Sequence, residues 1–324
     1  MGSDSGQFSV EFWDVGQGDG SVLHLPSKEL IIIDVGPSGS RIPNWLTLNR
    51  RVIHALILTH NDADHVGALP AVLQAAIAVR TVYVLVDRPP QDPKFHRMFD
   101  CVHAAKKSGK VQAIRRLETP AKGGLLPIWA EPSMRLSVDV RYPSIEENVE
   151  AREANETSAI IVLTVRDKAA VVWTGDTYLE NVATHCHDAA PDNMVGPHHG
   201  APWDRKRKEA AEWLKSIAAS RVVLSVGPNK HKHPQPVYIR KVRRSGANVV
   251  CTQLTKLCHP LKKLHDVLPS HGRMGLPPPT TGFCCRGPIR LRLSNGELDP
   301  ADGLDLEHQA AIRKLQRPKC LSPL

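Results

Sequence analysis

His60, Asp62, Asp64 and His65 fall within six residues, in the stretch Thr59-His60-Asn61-Asp62-Ala63-Asp64-His65-Val66-Gly67. Two imidazoles and two carboxylates at this density are donors suited to divalent cations such as zinc, manganese or magnesium. Cations held in this way let water ionise near neutral pH and act as a nucleophile. Directly before the stretch, Val52-Ile53-His54-Ala55-Leu56-Ile57-Leu58 reads as a buried strand, and after Gly67 the apolar-rich run Leu69 to Ile77 starts a helix. The donors therefore sit at a strand exit, where α/β sheets collect their functional loops. A loop that merely caps the helix would explain one aspartate, not four donors.

Similar strand-then-turn units recur along the chain. Phe8 to Asp14 alternates apolar and polar residues, breaks at the glycine-rich Val15-Gly16-Gln17-Gly18-Asp19-Gly20, and resumes at Ser21 to Leu25, which predicts a hairpin around a tight loop bearing Asp14 and Asp19. Leu30 to Val35 is a continuous apolar strand carrying Asp34 near its end. Ala169 to Asp176 repeats the arrangement of strand, glycine turn and carboxylate, and Asn193 to Gly200 ends in His198 and His199. A carboxylate shared by two divalent ions is a natural bridge, and Asp176 is the candidate. Consecutive side chains of an extended backbone point opposite ways, so one of His198 and His199 is expected at the metal and the other to meet substrate or act as an acid. The early order is strand, strand, strand, helix, strand, helix, strand, helix; residues 117 to 142 read as turns and an edge strand.

A chain of 324 residues with 41% hydrophobic and 23% charged residues fits one large globular domain with an appendage. No apolar run approaches the ~20 residues of a membrane span, and the start lacks the pattern of a signal peptide, so a cytoplasmic location without membrane contact is expected. The net charge of +9 suits an anionic partner. Its densest clusters are Arg205-Lys206-Arg207-Lys208 and Arg240-Lys241-Val242-Arg243-Arg244. Seven cysteines without an export signal argue against a disulfide framework.

The donor stretch, together with Asp14-Val15-Gly16-Gln17-Gly18-Asp19 and Pro197-His198-His199-Gly200, resembles the metallo-β-lactamase superfamily, whose signature is His-x-His-x-Asp-His. The chain departs from it by carrying Asp62 where the second histidine usually stands. Over roughly residues 8 to 255 it is similar to the hydrolase domain of ComEC-type DNA-uptake competence proteins, here without a membrane channel. The resemblance implies an α/β fold, an αββα sandwich, and a hydrolase using one or two divalent ions, zinc or manganese, with magnesium a third candidate. One ion would sit on His60 and Asp62, the other on Asp64, His65 and one of His198 and His199, with Asp176 between them. Asp64, His199 and Asp19 are the candidate catalytic residues. The resemblance adds Asp34 as an orienting residue, the loop of Asp14 and Asp19 as the rim of the site, Asn155 near the place of a missing third histidine, and His233, whose His-Pro pair resembles a Gly-His-Pro motif with Lys232 in place of glycine.

Residues 1–250 are thus expected to form the hydrolase domain, 251–293 a small Cys/His-rich extension, and 294–324 a charged tail. Cys251, Cys258, Cys284 and Cys285, with His259, His265 or His271 near, could close a tetrahedral structural zinc site or pack as free thiols. The extension could instead dock a protein partner. Asp62 hardens the main site toward manganese or magnesium, which with the positive charge favours nucleic acid, DNA first, or a nucleotide as substrate. A hydrolase of small esters, lactones or thioesters and a non-catalytic binding component with a degenerate site are the alternatives.

Overall fold

Strands apolar on both faces must be covered on both sides, and alternation along them decides the layers here. The computed structural model describes residues 7–86, 93–151, 153–187, 189–201, 209–256, 282, 284–300, 304–313, 315 and 320. Among these, one sheet has the spatial order β15 (Glu297–Pro300), β14 (Ile289–Ser294), β1 (Ser9–Phe12), β2 (Gly20–His24), β3 (Leu30–Val35), β4 (Val52–Leu58), β5 (Ala78–Val84) and β6 (Val111–Arg116). The other has the order β13 (Asn248–Cys251), β12 (Arg221–Leu224), β11 (Asn193–Val195), β10 (Lys168–Trp173), β9 (Ile160–Val165), β8 (Leu136–Tyr142) and β7 (Leu126–Glu131).

Ile31, Ile33, Ala55 and Ile57 of the first sheet pack against Ile161, Leu163, Val171 and Trp173 of the second in a central core. Their sequence neighbours face outward, since the side-chain period of a strand is two. Leu30, Ile32, Leu56 and Leu58 meet α1 (Ile42–Asn49), α3 (Leu69–Ala75) and α4 (Pro93–Lys107). Ile160, Val162, Val172 and Val222 meet α6 (Leu179–His185), α7 (Ala210–Ile217) and α8 (Pro236–Arg244). The result is the expected αββα sandwich. Two short helices, α2 (Ala63–Val66) and α5 (Ile145–Glu150), lie in connecting segments.

Strand directions bring the chemistry to one end. β3, β4, β5 and β6 run parallel, as do β10 to β13, whereas β1 with β2, β2 with β3 and β9 with β10 are antiparallel. The β1–β2 turn, the exits of β3, β4, β10, β11 and β12, and the entry to β9 therefore share one edge of the sandwich.

Three regions differ from expectation. The segment around Ile289 to Leu293, assigned to an extension, is β14 at the edge of the first sheet, with Ile289 opposite Phe12 and Leu291 opposite Val10. Within residues 294–324, β15 extends that sheet, and Ile312 of α9 (Leu304–Arg313) and Leu315 enter the core beneath the second sheet. Residues 117–142 hold two paired strands, β7 and β8, rather than one. Local pattern cannot show a partner nearly the whole chain away. Cys258, His259, His265, His271 and Arg205 to Lys208 lie outside the described residues.

Candidate metal centre

β4 ends at Leu58, and the chain turns through Thr59 to Asn61 into α2, whose residues include Asp64 and His65. A buried carboxylate from the neighbouring strand holds this turn. Asp34 Oδ1 accepts the Thr59 amide N–H at 2.9 Å, and Asp34 Oδ2 accepts the Thr59 hydroxyl at 2.7 Å and His65 Nδ1–H at 2.8 Å. The last contact orients the imidazole and fixes its tautomer, leaving Nε2 to face the site. Asp34 thus ties the His65 ring to the turn at Thr59.

The β1–β2 turn lies against the donor loop. A Cβ on Gly18, whose φ is +133°, would stand 2.1 Å from the Asp64 carbonyl oxygen, so glycine is needed for the approach that carries Asp19 inward. Asp176 follows β10, and His198 and His199 follow β11 in a 3-10 turn, Pro197–Gly200. The expectation that adjacent histidines diverge assumed extended backbone. Both residues instead have left-handed φ, +49° and +53°, and both rings reach one carboxylate: His198 Nε2 is 3.6 Å from Asp176 Oδ2 and His199 Nε2 is 3.5 Å from Asp176 Oδ1.

Two donor groups result. Single atoms of Asp19, His65, Asp176 and His199 all lie within 4.8 Å of one another, and so do single atoms of His60, Asp62 and Asp176. Asp176 belongs to both. His60 Nε2 is 3.6 Å from Asp176 Oδ2 and 3.8 Å from Asp62 Oδ2, while His65 Nε2 is 3.1 Å from Asp176 Oδ1. Asp19 Oδ1, His60 Nε2 and His199 Nδ1 are buried without a hydrogen-bond partner, which native interiors avoid unless something else binds there. Nitrogen and carboxylate donors with atoms left over in this way fit divalent cations.

The electrostatics agree. Burial raises the Asp176 pKa, but His65, His199 and His60 outweigh it and hold the carboxyl well below the ordinary range. Burial opposes charge on His199 as well, yet Asp176, Asp19 and Asp64 push its pKa up to about 9. His65 is likewise held well above the usual imidazole value, against its burial, by Asp176 and Asp34. Asp19 is raised, mainly by burial. The carboxylates therefore keep protons on the rings where a cation would otherwise supply positive charge.

The remaining expected residues take different places. Asp64 stands at the rim, a third exposed, with Oδ2 3.3 Å from His199 Nε2, while Asp19 completes the group of four. Burial raises the Asp64 pKa, but His199 and His65 bring it well below the carboxylate range. Asp14 Oδ1 accepts Gln253 Nε2–H at 2.8 Å and the Gly16 amide at 3.3 Å, so it braces the turn. The Asn155 carbonyl accepts the Ser158 amide, and it is the Ser158 side chain that meets the centre. His233 lies near the rim, its ring tilted and 5.6 Å from that of His198, with its pKa lowered to about 4 by burial and by His198 and His199. Lys94, at the start of α4, pairs with Asp62 Oδ1 and was not legible as a site residue, its local sequence being that of an ordinary basic helix. Of the cysteines, Cys251 and Cys285 are buried, Cys284 is partly buried, and Cys285 Sγ lies 3.4 Å from His308 Nε2. Among the described residues the potential metal groups contain no thiol.

Residues 13–139 match the family model described as the metallo-beta-lactamase superfamily. That span holds Asp19, Asp34 and the donor loop, whereas Asp176, His198 and His199 lie beyond it. Among solved structures the chain is similar to Igni18, a metallo hydrolase from the hyperthermophilic archaeon Ignicoccus hospitalis KIN4/I, at 17% identity and a TM-score of 0.47, covering 75% of this chain and 94% of that one. It is also similar to a long form RNase Z from yeast at 10% identity and a TM-score of 0.37, covering 71% of this chain and 38% of that one. No curated protein matches the sequence. The match covers residues 13–139, and the αββα layers are consistent with the metallo-β-lactamase fold that this family model describes.

Proposed function

We propose that the chain is a metal-dependent hydrolase of phosphodiesters, acting on nucleic acid or nucleotides. The observation that carries this reading is the shared position of Asp176, whose two carboxylate oxygens face four imidazoles at 3.1 to 3.6 Å. One carboxylate common to two donor groups is the arrangement that holds two divalent cations ~3.5–4 Å apart. His60, Asp62 and Asp176 would hold one, and Asp19, His65, Asp176 and His199 the other. A group of three protein donors would leave more of a cation's positions open to substrate than a group of four.

When bound, such cations supply Lewis acidity, lowering the pKa of water toward ~7 and neutralising charge on the bond attacked. The chain's own residues do the rest. Asp64, kept ionised at the rim, accepts a hydrogen bond from entering water or substrate. His233, kept neutral, can donate one to a departing oxygen. Asp62 in place of an imidazole favours hard cations, manganese or magnesium over zinc, and oxygen-rich anionic substrates. Lys94, paired with Asp62, sets positive charge beside the more open group.

The test combines elemental analysis of purified protein with cleavage assays on single- and double-stranded DNA and on a dinucleotide in manganese, magnesium and zinc. Bound metal and manganese-supported cleavage that His60→Ala removes are expected. Cleavage unchanged in that variant refutes the assignment.

A second reading, hydrolysis of small esters, lactones or thioesters, has one observation in its favour. Arg243 of the basic cluster on α8 lines a cavity of about 220 Å³ with Arg221 and Asn248, at the N-terminal ends of β12 and β13 and away from the donor groups. Positive charge there matches the carbonyl end of its own helix. Rates insensitive to salt would favour this reading, because nucleic-acid binding weakens steeply with salt.

A further inference from the structure

Ser158 is fully buried just before β9, in the segment where the expected third histidine is missing. Its Oγ lies 3.2 Å from His60 Nδ1 and accepts the Asp176 amide N–H at 3.0 Å. A Cβ on Gly175, whose φ is +48°, would stand 2.1 Å from that oxygen, so the turn before Asp176 presses directly onto the hydroxyl. The segment carrying Ser158 is itself clamped. The Glu156 carbonyl accepts Tyr142 Oη–H at 2.6 Å, Thr177 Oγ1–H at 3.1 Å and Asn181 Nδ2–H at 2.9 Å, which joins it to the turn after Asp176 and to α6.

The protons follow from donor counting. Thr59 has one hydroxyl proton and gives it to Asp34 Oδ2. Its oxygen, 3.1 Å from His60 Nδ1, can therefore meet that nitrogen only as an acceptor. Nδ1 carries the ring proton, and the Nε2 lone pair points toward Asp176 and Asp62. Ser158 Oγ then accepts from two sides at once, from the His60 ring and from the backbone of Asp176.

We propose that Ser158 is a positioning residue of the group His60, Asp62 and Asp176. Its hydroxyl oxygen ties one donor from the first sheet to one from the second, so that His60 Nε2 and Asp176 Oδ2, 3.6 Å apart, meet on a common cation. A small hydroxyl at this place supports the donors from behind. This rests on reading these side chains as metal ligands.

The test is calorimetric titration of the full-length, metal-free chain with Mn²⁺, together with ¹⁵N-resolved NMR of the histidine rings. His60→Ala and His199→Ala assign the two binding steps. Ser158→Ala should weaken the His60-dependent step about 10- to 100-fold, as loss of a partner behind a ligand does, and disturb the His199-dependent step less. The unsubstituted chain should show His60 as the Nδ1–H tautomer, and Ser158→Ala, which leaves Thr59 Oγ1 as the other acceptor, should keep that tautomer while shifting the Nδ1 resonance. An unchanged step together with an unchanged Nδ1 resonance overturns the proposal. Should Ser158→Ala fail to fold, Nε2–H on His60 in the unsubstituted chain overturns it and Nδ1–H supports it. Failure of the unsubstituted chain to take up Mn²⁺ removes the metal reading, while the response of the Nδ1 resonance to Ser158→Ala still decides whether Ser158 holds the His60 ring.

Discussion

His65 Nε2 and His199 Nε2 face each other at 3.3 Å, with Asp176 Oδ1 3.1 Å from the first and 3.5 Å from the second. Without metal, protons on these rings answer the surrounding carboxylates; a cation must displace them, because only a neutral imidazole ligates. Binding of Mn²⁺ or Zn²⁺ at pH 7 should therefore release protons, and apparent affinity should rise with pH up to about 9, the raised pKa of His199. Titration calorimetry in two buffers of different ionisation enthalpy reads this, and heats independent of buffer would count against it.

The same shifts fix the pH dependence of the metal-free fold. His199 is raised above its unfolded value, so its contribution to stability is complete below an imidazole pKa of ~6.5 and is lost as pH climbs through about 9. Asp176 and Asp64 are depressed, so theirs is present above the unfolded carboxylate pKa of ~4 and is lost as pH falls toward their lower folded values. Melting temperatures should pass through a maximum between roughly pH 5 and 6.5 and fall toward pH 9. Metal-loaded protein should be flat over that alkaline limb, and a metal-free chain as stable at pH 9 as at pH 6 contradicts the account.

Asp19 belongs to the four-donor group and Asp64 to its rim. Asp19→Asn should therefore cost more metal affinity than Asp64→Asn. Because Asp64 faces the cleft, its variant should lose turnover while keeping most of its metal, which inductively coupled plasma analysis beside kinetics can separate. Equal metal loss in both would mean that the rim placement is not functional.

Thr59→Val keeps shape and the amide bond to Asp34 but deletes the hydroxyl between Asp34 and His60. Metal affinity should drop about 10- to 100-fold, and Thr59→Ser, which restores the hydroxyl, should recover it. Parallel losses in both variants would point to packing instead.

Gly18→Ala places a Cβ 2.1 Å from the Asp64 carbonyl oxygen at a φ of +133°. Backbone in such regions costs on the order of 1–3 kcal/mol for other residues, and the clash adds to that. Chemical denaturation should show at least this loss, with Asp19 displaced and metal bound more weakly. A variant of unchanged stability would show that the turn does not lie on the donor loop.

Much of this site could be read from the chain alone, because its signals are local. Four donors in six residues after an apolar run marked the exit of β4, and continuous apolar runs marked β3 and β4 as buried strands. The carboxylate after Thr174-Gly175 was legible for the same reason. Folding in three dimensions settled which groups meet. Asp19 reaches the centre because Gly18 lets one turn lie on another; His198 and His199 converge because their backbone is left-handed; Ser158 meets His60 because β9 enters the second sheet at the edge where β4 leaves the first. The pairing of β14 with β1 had the same character, since a strand's composition says that it needs a partner but not which one. Donor identity is a property of residues, whereas coordination depends on distances of a few ångströms between residues more than a hundred positions apart, and those follow from register, backbone torsion and the packing of two sheets.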